Sequence, residues 1–221
     1  VWLLLSPTAL EAPFLRGEPF TFLGRRGLRG RGFVYLETGV GKVNAALTLA
    51  LWAAQHPVER ALLFGIAGAY PGLEVPLGGA VLVAEEVEAD LGLREGLEPL
   101  GFPALTLGGV AYYNRFPLDP GLTGALSRAL DLPQVVGLTR DLVSESLEEA
   151  QALAQRFGAQ VENMEGAAFA RVCLLLGIPG AELRAISNPA GVRDKAAWRM
   201  GEALRTLRVL VQALLEKTTG P

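Results

Sequence analysis

Short apolar runs alternate with stretches of helical spacing from one end of this 221-residue sequence to the other. Residues 1–5, 33–38, 61–65, 80–88 and 181–187 read as strands, and Lys42 to Gln55, 121–130, 147–157, 166–176 and 195–216 read as helices. In the last helix Leu204, Leu207, Val211 and Leu214 return at three- and four-residue spacing, while Arg205, Arg208 and Glu216 occupy the polar face. Strands separated by helices pair side by side with the helices laid over the sheet, which predicts an α/β sandwich with a largely parallel sheet. The length suits one domain spanning 1–221, because a unit of roughly 100–250 residues buries a single core without splitting. No repeat, low-complexity tract or linker divides it. The Gly/Pro-rich stretch 92–109 reads as a loop that overhangs a pocket.

Charge narrows the partners. A formal net charge of -3 lacks the excess cations that a nucleic-acid polymer requires, so none is expected. Arg25, Arg26, Arg29 and Arg31 form the one basic run, and the glycines between them suggest a solvated hairpin instead of a groove-tracking face. The first apolar stretch is five residues long before Ser6 and Pro7, too short for a signal-peptide core or a membrane span. A cytoplasmic location without membrane association is expected. The single cysteine, Cys173, lies in an apolar run and reads as a small buried hydrophobe.

The familiar motifs fail on inspection. Gly39-Val40-Gly41-Lys42 lacks the hydroxyl residue that a P-loop needs at Val43 and the glycine it needs at Leu36; a dinucleotide fingerprint would need a third glycine at Asn44. What remains is a tight strand-to-helix turn in which glycines adopt positive φ. The only histidine, His56, precedes Pro57 at a helix end, where a structural role is expected. With one histidine and one cysteine, classical zinc sites lack ligands, and Ser-His-Asp catalysis would have to run through His56. Carboxylate chemistry without metal or cofactor becomes the default.

Two segments then stand out, Glu162-Asn163-Met164-Glu165-Gly166-Ala167-Ala168 and Arg184-Ala185-Ile186-Ser187-Asn188. Alone, Glu165 is an ordinary first-turn acid and Ser187-Asn188 ordinary turn chemistry. Their joint occurrence matters, together with Ser6 to Glu11, the Glu37 to Ala46 run and Gly65-Ile66-Ala67-Gly68 in that order. In these elements the chain resembles the nucleoside phosphorylase and nucleosidase superfamily, in particular its methylthioadenosine nucleosidase branch and the futalosine hydrolase relatives of that branch.

The resemblance implies a three-layer α/β/α sandwich with a central mixed, largely parallel twisted sheet. It also implies cleavage of a purine nucleoside, a small-molecule partner, and a homo-oligomer to which an apolar loop such as 100–107 contributes. Glu165 would bind the ribose 2′- and 3′-hydroxyls, with Asn163 also at the substrate, while Met164 packs against the sugar and Glu11 serves as acid/base beside the attacking water. A carboxylate can accept from two hydroxyls, and a desolvated glutamate can be tuned towards neutrality. Asn188 stands where adenine-specific relatives carry aspartate. Its amide oxygen suits a protonated N7 and its NH₂ suits O6, so a 6-oxopurine is expected, with Ser187 orienting the amide; adenine would leave donors opposed, at roughly 1–3 kcal/mol. Phosphorylases of the superfamily show a Gly-Asp-Pro loop and early arginines; here the stretch is Ser6-Pro7-Thr8-Ala9-Leu10-Glu11, and Ile66 stands where a hydroxyl would help hold an anion. Water is therefore the expected nucleophile. The reading is futalosine hydrolysis, with release of hypoxanthine in menaquinone biosynthesis. Phe102, Tyr112, Arg115 and Arg193 are candidates for the aromatic, carboxylate-bearing 5′ group, with core or surface roles equally open for each. Adenine nucleosidase, phosphorylase and non-catalytic nucleoside sensor stand as rivals.

Overall fold

The structure, a computed structural model, describes residues 1–219. The chain opens with β1 (Trp2–Ser6), the hairpin of β2 (Glu18–Phe22) and β3 (Arg25–Gly30), and β4 (Phe33–Glu37), followed by α1 (Lys42–Ala53). Two long strands come next, β5 (Arg60–Ala69) and β6 (Ala80–Glu88). Short β7 (Leu105–Leu107), β8 (Val110–Tyr112) and β9 (Arg115–Pro117) lead into α2 (Pro120–Leu130), β10 (Gln134–Thr139) and α3 (Leu147–Phe157). The closing elements are β11 (Val161–Asn163), α4 (Gly166–Leu176), β12 (Gly180–Pro189) and α5 (Met200–Thr219).

Strand polarity of two makes the core. In β1, Leu3 and Leu5 face the α1 and α4 side with Leu49, Trp52, Phe169 and Cys173, while Trp2 and Leu4 face the α5 side with Leu207, Val211 and Leu214. The apolar stripe expected on the last helix is thus the one that covers the sheet.

The main sheet runs β11-β10-β6-β12-β5-β1-β4-β3-β2, and β11 also pairs with β5, so β5, β12, β6, β10 and β11 close into a ring. The sheet is mixed, as expected, but parallel pairings do not predominate. The β2–β3–β4 meander, β6 against β12, β9 against β6 and β11 against β5 are all antiparallel. The basic run lies in this meander, where Arg29 stacks over Phe20 and Trp52 and Arg26 over Tyr35, so two of its four cations cover aromatic faces.

One element boundary moves. The helix expected from residue 195 begins at Met200, preceded by a 3-10 turn at Lys195–Ala197. Asp194 Oδ1 accepts from the Ala196 N–H at 2.9 Å, and the Arg199 N–H donates to the Ser187 carbonyl at 2.7 Å. That second bond ties the helix entrance to the end of β12, so the chain turns before it coils.

Candidate active site

Three segments bring the site together, and each is held by local chemistry. The turn after β1 ends in a single 3-10 turn, Ala9–Glu11, whose Glu11 is buried. Its Oε2 accepts from the Thr8 N–H (2.9 Å) and Thr8 Oγ1 (3.0 Å), and its Oε1 accepts from the Ile66 N–H (3.0 Å). Burial raises the Glu11 pKa, and the Ile66 N–H, the Arg184 charge and Thr8 offset part of that rise. β5 can approach because residue 65 is glycine: a Cβ there would stand 2.7 Å from Glu11 Oε1 and 3.0 Å from Arg184 Nη1.

Glu165 caps α4 where β11 runs into the helix. Its Oε2 accepts from the Gly41 N–H at 3.1 Å and its Oε1 from Arg184 Nη1 at 3.3 Å. The Gly39–Gly41 stretch is the tight strand-to-helix turn expected, with φ of 86° and 96° at its two glycines; the amide it presents at the start of α1 meets this carboxylate. Asn163 reaches the same site with its side chain committed to protein partners. Its Oδ1 accepts from the Glu165 N–H (2.9 Å), the Gly166 N–H (2.6 Å) and Arg184 Nη2 (3.1 Å), and its Nδ2 donates to Glu86 Oε1 (2.6 Å). An amide so committed fixes the Glu165 turn and so positions the site, while Asn163 itself borders the cavity.

β12 supplies the third segment. Its register against β5 shifts between Ile186 and Asn188, a bulge that re-aims the strand end. Ser187 Oγ donates to Asn188 Oδ1 at 2.7 Å, and Asn188 Nδ2 donates to the Pro189 carbonyl at 3.0 Å. A carbonyl accepts only from the NH₂ side, so Pro189 fixes which way the amide points. One lone pair on Oδ1 and one N–H on Nδ2 remain for a ligand.

Glu11, Met164, Glu165, Ser187 and Asn188 line one cavity of about 520 Å³, a size that suits a nucleoside-scale ligand. The Asn163 turn and Arg193 also border it. Phe102, Tyr112, Arg115, His56 and Cys173 do not. His56 stacks on Trp52 at 4.1 Å past the end of α1, and Cys173 is packed in the core with its thiol pKa pushed up by burial. The 92–109 stretch does not overhang this cavity: it folds on β7–β8, tied by Arg171 to the Ala104 carbonyl and by Asn114 to Leu97.

Sequence reasoning assigned no role to Arg184, the hub of the site. It is fully buried and donates to Glu182 Oε1 (2.7 Å), Glu165 Oε1, Asn163 Oδ1 and the Ile66 carbonyl (3.2 Å). The signal was a guanidinium inside an apolar strand, which demands buried partners. Lys42, at the start of α1, is committed to Glu88, Asp90 and Asp141. Among the described residues the cations that line the cavity are Arg193 and Lys195, both in the segment leading to α5.

The phosphorylase superfamily model matches residues 10–218. The chain belongs to this superfamily. It is 71% identical to futalosine hydrolase from Thermus thermophilus, over 100% of this chain and 97% of that one. It is 36% identical to futalosine hydrolase from Streptomyces coelicolor, over 80% and 75%. In fold it resembles the methylthioadenosine/S-adenosylhomocysteine nucleosidase of Colwellia psychrerythraea, with a TM-score of 0.82 at 21% identity over 98% and 94% of the two chains. A futalosine hydrolase mutant from Helicobacter pylori superposes with a TM-score of 0.81 at 20% identity, covering 98% of each.

Proposed function

We propose that this chain hydrolyses the N-glycosidic bond of futalosine, releasing hypoxanthine and dehypoxanthine futalosine, in menaquinone biosynthesis. The observation that carries this reading is the convergence of Glu11, Glu165 and the oriented amide of Asn188 on one cavity, in a superfamily member whose full-length relative is a futalosine hydrolase.

Each group has a chemical task. Glu165 is held as an acceptor by Gly41 and Arg184, and its free lone pairs take the 2′- and 3′-hydroxyls over Met164. As the C1′–N9 bond stretches the ribose gains oxocarbenium character, and these contacts strengthen. Glu11 takes a proton from the attacking water; its raised pKa makes it a stronger base than an exposed glutamate. Asn188 Oδ1 accepts N7–H of the departing base while Nδ2 donates to O6, and Ser187 keeps that face presented. Asn188 does not itself supply the proton, which arrives from water.

Water is the nucleophile because, among the described residues, the Glu11 side of the cavity offers no uncommitted cation for phosphate. Arg184 is spent on four partners there, and the Ile66 side chain is apolar. The wider reading is a single catalytic domain over 1–221, with α1 and α4 on one face of the sheet and α5 on the other supporting a three-layer α/β/α description. Among the described residues no helix is long and apolar enough to cross a membrane; a cytoplasmic place suits a small nucleoside substrate. Incubating the protein with futalosine, with and without phosphate, tests the reaction. Hypoxanthine and the free sugar product at equal rates in both conditions support hydrolysis, and a phosphorylated sugar that appears only with phosphate overturns it.

A further inference from the structure

Two carboxyls in the core take no part in the chemistry above. Glu86 on β6 and Glu182 on β12 are both fully shielded from solvent and converge beneath Gly166 at the start of α4, where a Cβ would collide with each of them. Glu86 Oε1 accepts from Asn163 Nδ2 (2.6 Å) and its Oε2 from Thr139 Oγ1 (2.7 Å). Glu182 Oε1 accepts from Arg184 Nε (2.7 Å), while its Oε2 meets no donor among the described residues. One guanidinium therefore faces Glu182, Glu165 and, at longer range, Glu86 and Glu11.

The geometry points to Glu86 and Glu182 as a proton-sharing pair that positions Arg184 and Asn163, and through them the carboxylate of Glu165. A proton between the two carboxyls joins groups that converge beneath Gly166 and that the protein's own donors leave incompletely satisfied. It also leaves a single negative charge behind Arg184, which keeps the guanidinium from collapsing onto Glu165 and competing with the sugar hydroxyls. Two ionised carboxylates in contact in a dry interior would repel without compensation. Burial and then repulsion from Glu182 push Glu86 well up, and burial raises Glu182 against the pull of Arg184. Glu165 adds repulsion at Glu182, and the Cys173 thiol on α4 is held neutral beside it. The pair's catalytic value rests on Glu165 as the ribose acceptor, but its proton can be read without turnover.

Infrared spectroscopy of E11Q protein at neutral pH, which removes the other buried carboxyl of raised pKa, should show a protonated carboxylic-acid carbonyl band. That band should vanish on adding E86Q, because Glu182 then keeps Arg184 as its ion pair and ionises, and should shift on adding E182Q, because Glu86 keeps the proton by burial but loses its acceptor. No band in E11Q, a band that survives E86Q, or a band left unmoved by E182Q overturns the shared proton. In otherwise native protein, E86Q and E182Q should each lower kcat/KM about threefold, and the double variant about hundredfold with a raised KM, since it leaves Arg184 no anion in direct contact but Glu165. Equal losses in a single and the double variant would overturn the positioning role. If E86Q or E182Q does not fold, the E11Q spectrum alone decides whether a buried carboxylic acid is there.

Discussion

At the scale of the residue, the site is a set of polar atoms whose free valences are few and directed. Glu165 has both oxygens anchored by protein donors, so its remaining lone pairs face the cavity without the entropy of a mobile side chain. Glu165→Gln replaces an anion that complements an oxocarbenium-like sugar with a neutral amide, and kcat/KM should fall about 10²–10³-fold in steady-state assays while circular dichroism stays native. Unchanged kinetics would remove the sugar-binding role. Glu11 is expected to act in its ionised form. Because burial raises its pKa above 4.5, kcat/KM should decline as pH falls through a value above the ordinary carboxylate range and level off at higher pH. A pH–rate profile with its acid limb at or below 4.5 would contradict a buried base. Of these residues, Glu11, Glu165 and Asn188 were legible in the sequence only as members of an ordered set, because each is unremarkable alone. Arg184 was printed in one of the same segments, yet its partners come from β5, β11 and α4, and only the folded register brings them within reach.

At the scale of the element, strand ends and helix starts do the positioning. β5 carries Gly65 past Glu11 and Arg184 at a separation that only a missing side chain permits, then offers the Ile66 N–H to Glu11 and the Ile66 carbonyl to Arg184. Gly65→Ala should displace one or both side chains and cost about 10²-fold in kcat/KM, as a small misplacement of reacting groups does. A thermal melt recorded beside the kinetics separates this from global loss, and wild-type turnover in a folded G65A protein would show that the close approach is dispensable. The long helices α2, α3 and α4 were readable from spacing and caps, since ten or more residues give a period time to declare itself. β11 was not: at three residues it shows no period, although it closes the ring of strands and delivers Asn163 to the cavity. The start of α5 was misread for a related reason, because the Arg199 bond to Ser187 is a tertiary contact that no local pattern announces.

At the scale of the whole molecule, the cavity mouth is bordered by apolar side chains turned to solvent. Leu10, Val40 and Val143 line the cavity and are also largely exposed, and Val43 and Leu47 extend the apolar surface along α1. A surface of this kind is costly to leave in water and suits a second copy of the chain. Sedimentation at micromolar concentration should give a homo-oligomer; a monomer there would show that the exposed face has another use. The alternating pattern declared the α/β class, while the closure of the sheet and the even mix of strand directions depended on pairings between distant segments. The central claim is that a half-buried, oriented amide reads a 6-oxopurine at the end of β12, and it is tested most directly by measuring kcat/KM for futalosine against its adenine-bearing analogue. With Asn188 as described, futalosine should be preferred about tenfold or more. Equal or faster release of adenine would contradict it.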